Sequence, residues 1–271
     1  MLGHPLDSCA AKIQRSEANY STLNQDARSW VQQAVIKGQA VTVRKEIDPQ
    51  TGEIHFLAAA VPETPSNRWG AILGDCIHNL RSSLDHLAFA LADLDSPNRD
   101  RDRDNVTQFP VTQSQSHWDA DGIQRRFTYI SDRHRRTIEE VQPWFTQPND
   151  VAVHPLSILE RLDNRDKHRL ISVVALANDL WSYYPTASPF HLTNATLTSQ
   201  TLWENPLVRD AKLMTVRIAA VDPAGPNPDV DMQPIQAAPN LALAEGELVK
   251  YIVPNLNRAV RAIVARFVPE F

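Results

Sequence analysis

Seven polar residues within 13 positions have the side chains that chemistry uses. In Gly74-Asp-Cys-Ile-His-Asn-Leu-Arg-Ser-Ser-Leu-Asp-His86, placed on a helical wheel, Asp75, His78, Asn79, Arg81, Ser82, Asp85 and His86 share one side. They cover an arc of roughly 160°. Trp69, Leu73, Cys76, Ile77, Leu80, Leu84, Leu87 and Leu91 fall on the other side. A solvated helix face normally carries Lys, Glu and Gln, which are good helix formers, whereas Asp, Asn, Ser and His are weaker ones. Something other than propensity therefore selects this face, and two readings follow: a functional site or a buried polar network. Imidazoles and carboxylates can exchange protons or bind a metal, and a guanidinium can neutralise an anion.

A second segment supplies a complement. In Leu159-Glu-Arg-Leu-Asp-Asn-Arg-Asp-Lys-His-Arg-Leu170 the apolar stripe passes through Leu156, Leu159, Leu162, Leu170, Val173, Val174 and Ala177, and Asp163 and Asp166 fall inside it. An inward carboxylate needs a partner, because an unpaired buried charge is costly. Arg81, His78 and His86 are the expected partners, and a helix-to-helix salt bridge is the bland alternative. Together with His168, the same acidic and histidine residues could ligate a metal between facing helices. The chain nevertheless has no His-x3-His, Glu-x-x-His or Cys pair, so no metal or cofactor is assigned. With only 8 glycines in 271 residues, a backbone-cradled phosphate loop is not expected either.

Between these segments lies a basic stretch, in which Arg125, Arg126, Arg133, Arg135 and Arg136 surround Phe127 and Tyr129. Arginine forks suit phosphates and aromatic faces suit unpaired bases, which points to single-stranded nucleic acid. The alternative is a solvated helix start paired with Glu139 and Glu140. Net charge is −5, which argues against bulk electrostatic coating of nucleic acid but leaves a local patch open.

The elements that must position these residues follow from periodicity. A helix is expected over about 9–37. A hairpin follows, with strands 41–47 and 54–61, and then long helices over 67–93 and 154–180. Residues 190–203 and 213–221 alternate as strands, and the proline-rich 221–240 reads as a loop with one edge strand. An amphipathic helix over 245–267, striped by Leu248, Tyr251, Ile252, Leu256, Val260 and Val264, closes the chain. The expected class is α+β: about four main helices in a bundle with an inserted antiparallel β-sheet. One domain with insertions is expected over 1–271, with a helical core over 1–37 and 67–180, β-rich parts over 41–61 and 186–240, and the C-terminal helix 245–267. The run of alternating Arg and Asp within 95–105 reads as an exposed loop. Hydrophobic content of 42% with 22% charged residues excludes a largely disordered chain. Neither a signal peptide nor an apolar span is evident, so the expected location is the cytoplasm, with no membrane partner. Cys9 and Cys76 read as reduced packing residues.

Arg81-Ser-Ser-Leu-Asp-His86 has the form Arg-x4-His, and here the chain resembles the HEPN superfamily of helical-bundle proteins, whose R-x(4 to 6)-H motif marks many metal-independent ribonucleases of toxin and antiviral systems. The wider pattern, Gly-Asp-Cys-Ile-His-Asn-Leu-Arg-Ser-Ser-Leu-Asp-His-Leu with a later Asp-Lys-His-Arg, is similar to a group of bacterial and phage proteins that brings no activity with it. The HEPN resemblance implies Arg81 and His86 as the catalytic pair, supported by His78, Asn79, Ser82, Asp85, Asp163, Asp166 and His168. It implies an endoribonuclease without cofactor, working as a homodimer, with an antitoxin or regulatory protein as a further partner. In that mechanism His86 moves the proton of a ribose 2′-hydroxyl or of the leaving oxygen, and Arg81 stabilises the phosphoryl charge. Two other readings stand beside it: a non-catalytic binding or regulatory module with a buried polar helix network, and a metal-dependent hydrolase.

Overall fold

Hydrophobic periodicity and turn chemistry divide the chain into long helices and short antiparallel sheets, and the computed structural model describes residues 4–37, 41–98, 106–176, 190–203, 206–232 and 240–271. The fold is mixed α+β, 52% helix and 21% strand, as the periodicity predicts. It forms two compact units, each assembled from discontinuous pieces. The first contains residues 1–22, 70–171 and 251–271, and the second 23–69 and 172–250. Among the described residues no helix is long and apolar enough to cross a membrane.

The first unit is helical. It takes the start of α1 (Asp7–Ile36), most of α2 (Ser66–Asp95), the short α3 (Gln115–Trp118), α4 (Asp121–Gln124), α5 (Asp132–Glu139) and α6 (Pro143–Thr146), all of α7 (Pro155–His168), and most of α8 (Val249–Phe267). Its core is the expected apolar side of α2. Leu73, Cys76, Ile77, Leu80, Leu84, Leu87 and Leu91 are all buried, together with Cys9 and Ile13 of α1 and Val260 and Phe267 of α8. Removing seven such side chains from water contributes roughly 1.5–3 kcal/mol for each large one. Ser83 is buried too, because its hydroxyl donates to the Cys9 carbonyl at 3.1 Å. The four short helices had no clear periodic signal. Gln142, just before α6, ties the segment ahead of α3 to the end of α5: its Oε1 accepts from the Thr112 amide at 2.9 Å, and its Nε2 donates to the Pro110 and Ile138 carbonyls, each at 3.1 Å.

The start of α7 matches expectation. Pro155 occupies the first helical position, and the His154 side chain accepts from the Leu156 amide at 3.2 Å. Its end does not. The helix stops at His168, Arg169 is extended (φ −164°, ψ 148°), and Val173–Leu176 form β3. Ile171, Val173 and Val174 are β-branched and favour a pleated strand, so the stripe drawn through Leu170, Val173 and Val174 was not helical. Residues 177–180 of the expected helix, and most of the 95–105 Arg/Asp loop, lie outside the described residues. At the other end of the chain, α8 begins at Val249 rather than 245, and Tyr251 is exposed rather than part of the stripe.

The second unit holds the sheets. β1 (Thr42–Ile47), β2 (Ile54–Ala60), β5 (Ala195–Leu202) and β6 (Lys212–Ala220) form one antiparallel sheet in the order β1-β2-β6-β5. The hairpin turn is made by Asp48, whose carboxylate accepts from the Gln50 amide at 2.8 Å, and by Gly52 at φ 68°, a conformation that favours glycine. The expected strand 190–203 is two strands, β4 (Phe190–Thr193) and β5, broken at Asn194 with φ 44°. β4 pairs with β7 (Asp229–Met232), the edge strand expected in the proline-rich loop, and β3 pairs with β8 (Asn240–Leu243), which was not expected. Ile54, Phe56, Phe190, Met214, Val216 and Val230 make a core shared by the four-stranded sheet and the β4–β7 pair.

Candidate functional site

The polar side of α2 is packed against α7 and the segment that carries Phe109, all within the first unit. Arg81 is its centre and is buried, with only 7% of its side chain exposed. Its Nη2 donates to the Phe109 carbonyl at 2.6 Å and stands 3.1 Å from Asp85 Oδ1, one helical turn along. The same Asp85 oxygen accepts from the Phe109 amide at 3.0 Å, so arginine and aspartate together hold both backbone polar groups of one residue. Arg81 Nε lies 3.8 Å from Glu160 Oε2 of α7, an ion pair too long for a hydrogen bond. Within the protein, Arg81 Nη1 and Glu160 Oε2 are buried without a hydrogen-bond partner.

Burial raises the pKa of Asp85, which the neighbouring Arg81 and the Phe109 amide oppose and Asp163 reinforces. Arg126 reaches the same cluster. Its pKa is lowered, first by burial and then by Arg81, with Glu160 and Asp85 opposing. Arg81 is therefore an enclosed cation between two half-buried carboxylates, and Arg126 is near enough to feel the charge of all three.

Farther along the α2–α7 contact stands Asp163, 1% exposed, as its place on an apolar stripe requires. Its Oδ2 pairs with Lys167 Nζ at 2.6 Å, and its Oδ1 lies 3.7 Å from Nδ1 of the exposed His78. Asp166 packs its carboxylate against Gly74, where any Cβ would collide with it. Its pKa is raised by burial and then by Asp163 and Asp75, with His78 opposing. The expectation that Asp163 or Asp166 meets the polar side of α2 therefore holds, and of the expected partners His78 stands near Asp163 whereas Arg81 and His86 do not pair with either aspartate. Arg81 takes Asp85 and Glu160, and Asp163 takes Lys167.

The structure does not bring the Arg-x4-His pair together. Whereas Arg81 is enclosed, His86 is half-buried, and its pKa is lowered by burial and then by the charge of Lys12 of α1, with Asp85 opposing. No hydrogen bond or ion pair links Arg81 with His86. The reason is the helical pitch, since five residues turn a helix by about 140°. Of the supporting residues, Asn79 donates to the Asp75 carbonyl of its own helix at 2.7 Å, Ser82 is half-buried and His168 is exposed. Among the described residues, no three His, Cys, Asp or Glu side chains are grouped so as to hold a metal ion.

The basic stretch is dispersed in a similar way. Phe127 is buried against Trp118, with ring centroids 5.0 Å apart, so it offers no platform for an unpaired base, and Tyr129 is half-buried. Arg133 pairs with Glu270 at 2.7 Å and Arg135 with Asp132 at 3.8 Å, while Arg126 joins the Arg81 cluster. Arg125 and Arg136 are exposed.

Sequence reasoning missed Glu160, Lys167, Lys12 and the Phe109 peptide. For Glu160 and Lys167 a signal existed: they lie three residues before and four after Asp163, on the same helical face. The Phe109 peptide had none, because its role is a backbone one. Compared with models of known families, with curated proteins and with solved structures, the chain matches none. The HEPN resemblance therefore rests on Arg81 and His86 themselves.

Proposed function

We propose that this protein is a non-catalytic binding or regulatory module in which the polar side of α2 is an internal ion-pair network. One observation carries this reading. The Arg81 guanidinium is enclosed, with Nη2 engaged by the Phe109 carbonyl and Asp85, Nε near Glu160 and Nη1 buried without a partner, so it has no solvent-facing edge for a phosphoryl group. A transition-state arginine must present its fork to the substrate. This one presents it to the protein's own backbone.

A second reading keeps a specific observation in its favour. His86 is partly accessible and held towards its neutral form beside the cationic Lys12, which suits a proton acceptor at a phosphodiester. A metal-independent ribonuclease could use that pair, with a second copy of the chain supplying what Arg81 does not.

One set of measurements separates the two. Purified protein is incubated with labelled single-stranded RNA in the presence of a chelator, and Arg81→Met is unfolded in urea beside the wild type. The module reading expects no cleavage and a clear loss of stability for Arg81→Met, because the half-buried Asp85 and Glu160 lose their shared cation and the Phe109 carbonyl loses its donor. Chelator-resistant cleavage leaving cyclic phosphate ends, and abolished in a folded His86→Ala variant, would overturn it in favour of the nuclease.

A further inference from the structure

A cavity of about 440 Å³ in the second unit shares no residue with the polar side of α2. Asp26, Ser29, Trp30 and Gln33 line one wall, at the i, i+3, i+4, i+7 spacing of a single face of α1. Glu63, Thr64, Pro65 and Arg68 line the other. Such a volume lies in the range of about 300–1,000 Å³ of small-molecule sites.

The walls are fixed before any ligand arrives. Trp30 Nε1 donates to the Glu63 carbonyl at 2.9 Å, and its ring meets the buried Trp69 edge-on, with centroids 5.7 Å apart. Asp26 accepts from Trp69 Nε1 at 3.0 Å and pairs with Arg68 Nη2 at 2.6 Å. The indole is thus held by its nitrogen and by one neighbouring ring, which pre-organises an aromatic wall.

Charge decides the ligand class. A phosphate or carboxylate would meet Asp26 and Glu63, and a cation would meet Arg68, a guanidinium already present in the wall. The second indole, Trp69, is wholly buried and lines nothing, so there is no aromatic cage. What remains is one indole rimmed by donors and acceptors from Ser29, Gln33, Thr64, Glu63 and Arg68. That combination reads an uncharged planar heterocycle, by stacking on its face and hydrogen-bonding at its edge. We infer that this cavity binds a nucleobase-like heteroaromatic group, presented as a free nucleoside. The inference goes beyond the module reading and is equally compatible with the ribonuclease reading, since neither Arg81 nor His86 takes part.

The test is calorimetric titration of the full chain with adenosine, guanosine, cytidine and uridine, then with their 5′-monophosphates, a short single-stranded RNA and tetramethylammonium. At least one nucleoside should bind with a dissociation constant below about 1 mM, and its 5′-phosphate should not tighten binding. Trp30→Leu should weaken it by about tenfold or more, as loss of a stacking platform does. Because Trp30→Leu could loosen the α1 end, Ser29→Phe serves as the second variant. Ser29 is exposed on the helix, so filling the cavity from there should block binding while thermal stability stays unchanged. Absence of nucleoside binding at millimolar concentration, survival of binding in both variants, or tighter binding of tetramethylammonium would each overturn the assignment. Tighter binding of RNA than of any nucleoside would overturn the free nucleoside as the source.

Discussion

Asp166 shows at the scale of one side chain how the α2–α7 contact is electrostatically divided. It lies against the backbone of Gly74 and near Asp163 and Asp75, and its pKa is raised from the ordinary aspartate value. A carboxyl whose folded pKa exceeds its unfolded one binds more protons folded than unfolded. The stability it contributes is present in full below the unfolded value and is lost as pH rises through the folded value. At neutral pH the ionised Asp166 is thus a burden on the fold, which an uncharged isostere removes. Asp166→Asn should be more stable than the wild type in urea at about pH 7, and the difference should shrink as pH falls towards about 4. A difference that stays constant with pH would show that Asp166 does not carry the effect. The sequence identified this residue from its place in an apolar stripe, but not its sign. Asp163, four positions from Lys167, gains an ion pair at 2.6 Å, whereas Asp166 faces other carboxylates. The lysine is a turn away on the same helix, whereas what Asp166 faces depends on the rotation of α7 against α2.

That rotation is set by two glycines of α2, four residues apart. Any Cβ at Gly70 would collide with the Ile171 carbonyl, and one at Gly74 with the Asp166 carboxylate, so the end of α7 and the turn after it can approach α2 closely. The two collisions differ in kind. The Ile171 carbonyl belongs to the backbone and cannot move independently, while a carboxylate can rotate away. Alanine in place of glycine favours a helix interior by roughly 0.5–1 kcal/mol, whereas overpacking a close contact costs typically 1–3 kcal/mol. Gly70→Ala should therefore lower the melting temperature and Gly74→Ala should leave it nearly unchanged; a reversed order would refute this account of the contact. Element type was legible wherever periodicity ran long, as in α1, α2, α8 and the β1–β2 hairpin. It failed where a short strand continued an apolar stripe. Val173 and Val174 fit the α7 stripe by spacing, and only pairing with Asn240–Leu243, more than sixty residues away in sequence, makes them a strand. No local pattern encodes such a partner.

Across the whole molecule, net charge and ion pairing together limit what the basic stretch can do. The chain carries −5, and of five arginines between Arg125 and Arg136 one joins the Arg81 cluster and two pair with Glu270 and Asp132. Phe127 is withdrawn into the core against Trp118. The composition of this stretch was readable from the sequence. Its dispersal was not, because Glu270 lies at the far end of the chain and Glu160 on another helix. Each phosphate neutralised by a cation contributes about −0.7 to the slope of log K against log salt for a single strand. If the exposed Arg125 and Arg136 are the available contacts, the slope for a homopolymeric RNA strand between about 50 and 200 mM salt should be no steeper than about −1.4. Reversing both charges, Arg125→Glu with Arg136→Glu, should flatten it towards zero without changing the urea midpoint, because neither arginine supports the fold through an ion pair among the described residues. A slope near −3.5, the value for five engaged arginines, would mean that the pairs with Glu270, Asp132 and the Arg81 cluster open on binding. RNA would then be competing with the protein's own carboxylates, and the basic stretch would regain the role its composition suggests.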